Sequence, residues 1–115
     1  MVAYPELTDA ETDRIFRALA DGTRRDIVAR VLTGEQSIST LASRYDMSFA
    51  AVQKHVSVLE AAGLVIKRPQ GRERFVRGNP EQIARARELL IRLEEMWRSR
   101  FGQLDAVLTE PEHKE

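Results

Sequence analysis

The sequence predicts a mainly α domain with one small β-hairpin, an α+β arrangement that closes on a long terminal helix. Three observations predict it. Apolar residues recur at helical spacing through five segments, two β-rich runs meet at "PQG", and Asn79-Pro80 opens a last periodic stretch. The elements can be justified in order along the chain.

Thr8 and Glu11 have capping-box spacing, and Ile15, Phe16 and Leu19 then follow at helical intervals, which predicts a first helix over residues 9–20. After "DG" at 21–22, "TRRDIVARVLT" places Ile27, Val28, Val31 and Leu32 on one side of a second helix ending near Gly34. "SIS" supplies a few extended residues and then an N-cap, assigned to Ser39, for a short helix containing Leu41, Ala42 and Tyr45. A turn at Asp46-Met47 leads to Ser48, which caps a helix with Val52, Val56 and Leu59 on its inner face and Gly63 as its stop. Residues 39–63 therefore read as a helix-turn-helix. "LVIKR" and "ERFVR" form a basic hairpin, the wing, over residues 64–78. Asn79 caps and Pro80 opens the final helix, predicted over 80–108, where Ala86, Leu90, Leu93, Trp97, Leu104 and Leu108 alternate three and four apart, with Phe101 near the same face. Residues 109–115 read as a frayed polar tail, and the whole chain of 115 residues as one domain.

Composition excludes several functions. The chain has no cysteine, so disulfides, thiolate metal sites, iron–sulfur clusters and cysteine nucleophiles are ruled out, and an intracellular setting is expected. The N-terminus lacks a signal-peptide pattern and no run is apolar enough for a membrane span, so a cytoplasmic protein is expected. No Ser/His/acid arrangement or phosphate-cradling glycine loop is present, and the adjacent Glu94 and Glu95 point to different sides of one helix, so an enzyme is not expected. No cofactor is implied. Net charge is zero, but its distribution is uneven: residues 39–78 hold seven bases against three acids, whereas both flanks are acidic. Cations thus collect on the helix-turn-helix and hairpin, where a polyanion would lie.

The order helix, helix, helix-turn-helix, hairpin, long helix is that of a winged helix, whose second helix-turn-helix element enters a DNA major groove. Val52, Val56 and Leu59 anchor that element and leave Ser48, Phe49, Gln53, Lys54 and Ser57 outside. Gln pairs with adenine edges, Ser with bases or phosphates, an aromatic ring with a thymine methyl, and Lys with guanine or phosphate. His55 beside the apolar stripe reads as a packed or capping residue, or as a further DNA contact. In the wing, Lys67, Arg68, Arg72 and Arg74 supply cations for phosphates. Arg24 and Arg25 read either as ion-pair partners of Asp21 or Asp26 or as phosphate contacts. The terminal helix carries more apolar surface than a small winged domain covers. Ile15, Phe16, Leu19, Leu90, Leu93, Trp97, Phe101 and Leu104 are therefore assigned to a dimer interface. A winged helix used only for protein contacts is the competing reading.

"FRALADGTRRDIVARVL", "AVQKHVSVLEAAGLV" and "GRERFV" together resemble the bacterial ArsR/SmtB family of winged helix-turn-helix transcriptional repressors, over roughly Ile15 to Asn79. The resemblance implies a homodimer on an imperfectly palindromic operator near its own promoter, with the terminal helices forming the interface. Metal-sensing members use a cysteine pair in the first helix of the helix-turn-helix, or Asp and His ligands in the last helix. Here the first of these regions reads "STLASRYD", and the only histidines are His55 and His113, the latter in an acidic tail with Glu110 and Glu112. The chain therefore resembles the branch lacking the metal-sensing cysteines, and no metal site is expected. "ALADGTRR" and the Trp-bearing last helix are similar to members encoded beside a Bet v 1-like ligand-binding protein. The sequence does not name an effector.

Overall fold

The computed structural model describes residues 6–109, with side chains as far as residue 102. Five helices and three strands run in the order α1 (Asp9–Leu19), α2 (Gly22–Thr33), β1 (Gln36–Ser37), α3 (Ile38–Ala42), α4 (Phe49–Ala61), β2 (Val65–Gln70), β3 (Glu73–Gly78) and α5 (Pro80–Thr109). The winged helix-turn-helix architecture expected from the sequence is present, with a third strand that the hairpin reading did not include. β1 pairs with β3, giving an antiparallel sheet of order β1-β3-β2 in which Ser37 lies opposite Phe75.

Local chemistry sets most of the boundaries. Thr8 and Glu11 form the full capping box on α1, the Asp21 carboxylate accepts from the amides of Thr23 and Arg24 at the start of α2, and Ser48 Oγ accepts from Ala51 N at 3.1 Å. The short helix begins earlier than expected. Ser37, rather than Ser39, is its N-cap, because Ser37 Oγ accepts from the Thr40 amide while the Ser37 backbone is still extended in β1. Tyr45 likewise lies beyond α3, in the turn leading to α4. The α4 terminus is a Schellman motif: Leu64 N donates to Leu59 O, Gly63 N donates to Glu60 O, and Gly63 takes the required positive φ of 77°.

The hairpin turns on Gly71-Arg72 because Gln70 pairs with Glu73. Gly71 alone has positive φ there, 64°, so it carries the turn, while Pro69 sits within β2. Proline is tolerated at that position because β2 is an edge strand.

The core lies where α1, α2, α3, α4 and the sheet meet. Ile15, Ile27, Leu41, Val52, Val56, Leu59, Leu64 and Val76 are fully buried there. Each such aliphatic side chain contributes roughly 1.5–3 kcal/mol from leaving water. Ile15 belongs to this core at 0% exposure, which corrects its assignment to a dimer interface. Among the described side chains, α5 joins the body through its first turns. Gln82 and Ala86 are buried and Ile83 packs on the core, whereas from Arg92 to Gly102 every residue is exposed. No helix among the described residues is long and apolar enough to cross a membrane.

Candidate nucleic-acid interface

Helix α4 is fixed to the body by one face and open on the other. Val52, Val56 and Leu59 are at 0% exposure, and α2 and α3 pack behind them. Ser48, Phe49, Gln53, Lys54 and Ser57 are all exposed, with Phe49 at 48%. Among the described residues, the side chains of Gln53, Lys54 and Ser57 have no hydrogen-bond or ion-pair partner, so their polar groups are free for a ligand.

His55 takes the packed one of its two sequence readings. At 3.6 residues per turn it lies about 160° around the helix from Ser57. It is half-buried, and its Nδ1 is 3.3 Å from Arg24 Nη1. Arg24 in turn donates from Nε to the Ala18 carbonyl at 2.7 Å and from Nη2 to the Arg17 carbonyl at 3.1 Å, and its Nη1 is 3.9 Å from Asp21 Oδ2. Arg25 Nη1 donates to the Leu19 carbonyl at 2.7 Å. Both arginines thus occupy the open carbonyls at the end of α1, a favourable place for cations.

The wing separates into a braced base and a free tip. Lys67, assigned to phosphate contact, is half-buried with Nζ 3.2 Å from Glu60 Oε1, joining β2 to the end of α4. Arg68, assigned likewise, forks onto Glu35: Nη2 donates to Oε1 at 2.7 Å and Nε to Oε2 at 3.2 Å. Its guanidinium also stands 5.3 Å from the Phe75 ring centroid and donates to Gln70 Oε1. These two cations are engaged within the protein. Arg72 and Arg74, by contrast, are exposed and without a partner among the described residues.

The braces carry an electrostatic signature. Hydrogen bonding to Arg68 holds the Glu35 carboxyl below its ordinary range, and the same pair raises Arg68. In the turn before α4, the Tyr45 hydroxyl donates to Asp26 Oδ2, and Arg30 Nε donates to the same carboxylate oxygen at 2.8 Å. The Tyr45 hydrogen bond first, then that of Arg30, lowers Asp26, while burial and the Asp26 contact raise Tyr45. The backbone N–H of Arg24 lowers Asp21. The Glu35–Arg68 and Asp26–Tyr45 struts escape sequence reading because their partners lie 33 and 19 residues apart in the chain with no periodicity to link them, whereas the Arg24–Asp21 ion pair is one of the two readings the sequence offered for Arg24.

A second exposed surface runs along α5. Leu90 is 51% exposed, Leu93 50%, Trp97 61% and Phe101 43%, with Met96 beside them, and the Trp97 and Phe101 rings stack at 4.6 Å between centroids. On α1, Phe16 is exposed, whereas Leu19 packs partly against the core. The side chain of Leu104, also assigned to the dimer face, lies outside the described side chains, as do Leu108 and the tail with His113. Among the described residues no group of three His, Cys, Asp or Glu side chains is placed to hold a metal ion. With no cysteine in the chain either, the residues present do not fit a thiolate metal centre.

Comparison with known proteins accords with this geometry. A helix-turn-helix domain family matches residues 19–68. The HTH-type transcriptional regulator Rv2034 of Mycobacterium tuberculosis is 43% identical over 75 residues, spanning 65% of this chain and 70% of that protein. The arsenical resistance operon repressor of Escherichia coli is 29% identical over 96 residues, 83% of this chain and 80% of that one. The solved structure of an ArsR-like transcriptional regulator from Rhodococcus sp. RHA1 superposes with a TM-score of 0.75 at 32% identity, covering 86% of this chain and 93% of the other. The chain belongs to the ArsR family of winged helix-turn-helix transcriptional regulators.

Proposed function

We propose that the protein is a homodimeric repressor that reads an imperfectly palindromic operator, with α4 in the major groove and the wing tip on the adjacent backbone. The observation that carries this reading is the row of unpartnered polar side chains on α4, Gln53, Lys54 and Ser57, beside the unpartnered Arg72 and Arg74 of the wing. The helix face supplies base-edge donors and acceptors, and the wing supplies phosphate cations whose contribution falls with salt. Ser48 and Phe49, at the helix start, take part in reading by hydroxyl and ring contact.

Self-association rests on the apolar stripe of α5. Leu90, Leu93, Trp97 and Phe101 would be covered by the same helix of a second copy, joined by the exposed Phe16 of α1. A two-fold axis through that contact would set two α4 helices one or more duplex turns apart. Repression is favoured by the relative from Escherichia coli, which is named as an operon repressor. Cysteine-based metal sensing is not part of the reading, since the chain has no cysteine. The regulator would act in the cytoplasm, on the nucleoid.

The test is a fluorescence-anisotropy titration with the DNA upstream of its own coding region and with a scrambled duplex, each at two salt concentrations. Tight, salt-sensitive binding to the upstream duplex, far above binding to the scramble, is expected. Equal and weak binding to both would favour a winged helix that contacts proteins instead.

A further inference from the structure

Arg24 sits at a junction. Its side chain is 16% exposed, and its guanidinium reaches two carbonyls at the end of α1, the Asp21 cap of α2, and the ring of His55 on α4. Three helices that together fix the DNA-binding element therefore meet on one planar fork. We propose that Arg24 and His55 are positioning residues, which lock the angle of α4 to the end of α1 and so set the register of the reading face against base edges. The proposal rests on α4 being the DNA-reading helix.

The chemistry of the pair is directional. Arginine carries donors only, so His55 Nδ1 must accept. The proposal therefore requires a His55 ring with Nδ1 unprotonated. His55 lies on the side of α4 away from Gln53, Lys54 and Ser57, where a hydrogen bond can set the roll of the helix without occupying the reading face. Lysine cannot replace Arg24. An ammonium has the charge but not the fork that reaches the α1 carbonyls and the ring at once. A contact that orients α4 leaves the wing arginines where they are. Its loss should therefore reduce sequence-dependent affinity and spare the sequence-independent part.

This predicts a pattern that a phosphate contact would not give. The probes are a duplex enriched by the wild-type chain from a random pool and a scrambled duplex of the same composition. Arg24→Lys should weaken binding to the enriched duplex by about tenfold, the scale of losing a charged hydrogen bond, with scramble affinity and salt slope unchanged. His55→Leu should do the same. His55→Asn, whose side-chain oxygen falls near the position of Nδ1, should restore most of the loss. The Arg24→Lys/His55→Leu double variant should be no weaker than either single one. Nitrogen-15 NMR of the His55 ring should find Nδ1 unprotonated in the wild type and changed in Arg24→Lys. If Arg24→Lys binds like wild type while Arg24→Gln lowers the salt slope by about one, Arg24 is a phosphate contact and the proposal is overturned. A proton on Nδ1, or His55→Asn no better than His55→Leu, overturns it as well. If Arg24→Lys does not fold, the His55 pair decides. Failure of the wild type to enrich any duplex counts against the DNA-reading function instead, and the ring NMR then decides the contact.

Discussion

At the scale of single residues, the separation between reading and bracing side chains is the main result. Gln53 faces outward without a partner, whereas Lys67 and Arg68, chemically as suited to phosphate, are held by Glu60 and Glu35. Gln53→Ala should lower affinity for the preferred duplex by about 1–3 kcal/mol while leaving scrambled DNA unaffected, measured by anisotropy against both probes. Gly63 is constrained for a different reason. It combines φ of 77° with a Cβ position only 2.9 Å from Gln82 Nε2, and that amide is buried and donates to the Ala62 carbonyl at 3.0 Å. Gly63→Ala must strain the backbone and disturb the bond joining α4 to α5. A loss of about 1–3 kcal/mol in urea unfolding is expected. The sequence showed Gly63 as a helix stop from its place after an apolar run, but not the neighbour that makes it intolerant of a methyl group. The same limit applied to His55: periodicity put it beside the apolar stripe, and only the packing of α2 showed what it touches.

At the scale of elements, helix starts were legible where a side chain capped its own segment, as with Thr8 and Ser48, whereas the Asn79 side chain donates to the Gly63 carbonyl instead. The exception, Ser37 in place of Ser39, arose because the extended stretch before α3 is fixed by pairing with β3, a strand about forty residues later. Local propensity cannot register that partner. The wing shows a related division. Its base is braced by long-range ion pairs and its tip is free, so only the tip should contribute to the salt dependence of DNA binding. Replacing Arg72 and Arg74 together by alanine should weaken specific and scrambled DNA alike and reduce the salt slope by about two. An unchanged slope would remove the wing from the interface.

At the scale of the whole molecule, two properties emerge that no single element has. The α5 stripe is exposed for its described length, although it carries Leu90, Leu93, Trp97 and Phe101. The proposed self-association through this stripe predicts that Leu93→Glu sediments as a monomer where the wild type sediments as a dimer, with helical circular dichroism from the body retained. A dimer that survived would place the contact elsewhere. The second property is acid sensitivity. Glu11, Asp21, Asp26 and Glu35 all have carboxyls held below their ordinary values of 4.5 and 3.8 by hydrogen bonds, local helix caps for Glu11 and Asp21 and links between separate segments for Asp26 and Glu35. A lowered folded-state pKa stabilises above the unfolded value and loses that contribution as pH falls through the folded one. The urea midpoint should therefore hold steady at neutral pH and fall progressively below about pH 4.5. By itself the sequence determined the fold class, the order of the elements, the face of α4 that carries the polar side chains and the absence of cysteine chemistry, because these depend on spacing and residue type along the chain. Only the tertiary structure decided which cations are free and which are spent on internal braces, that Ile15 is core rather than interface, and that His55 turns inward to Arg24. Those outcomes depend on which distant groups meet, and a hydrogen bond between residues some thirty positions apart leaves no period in the sequence to be read.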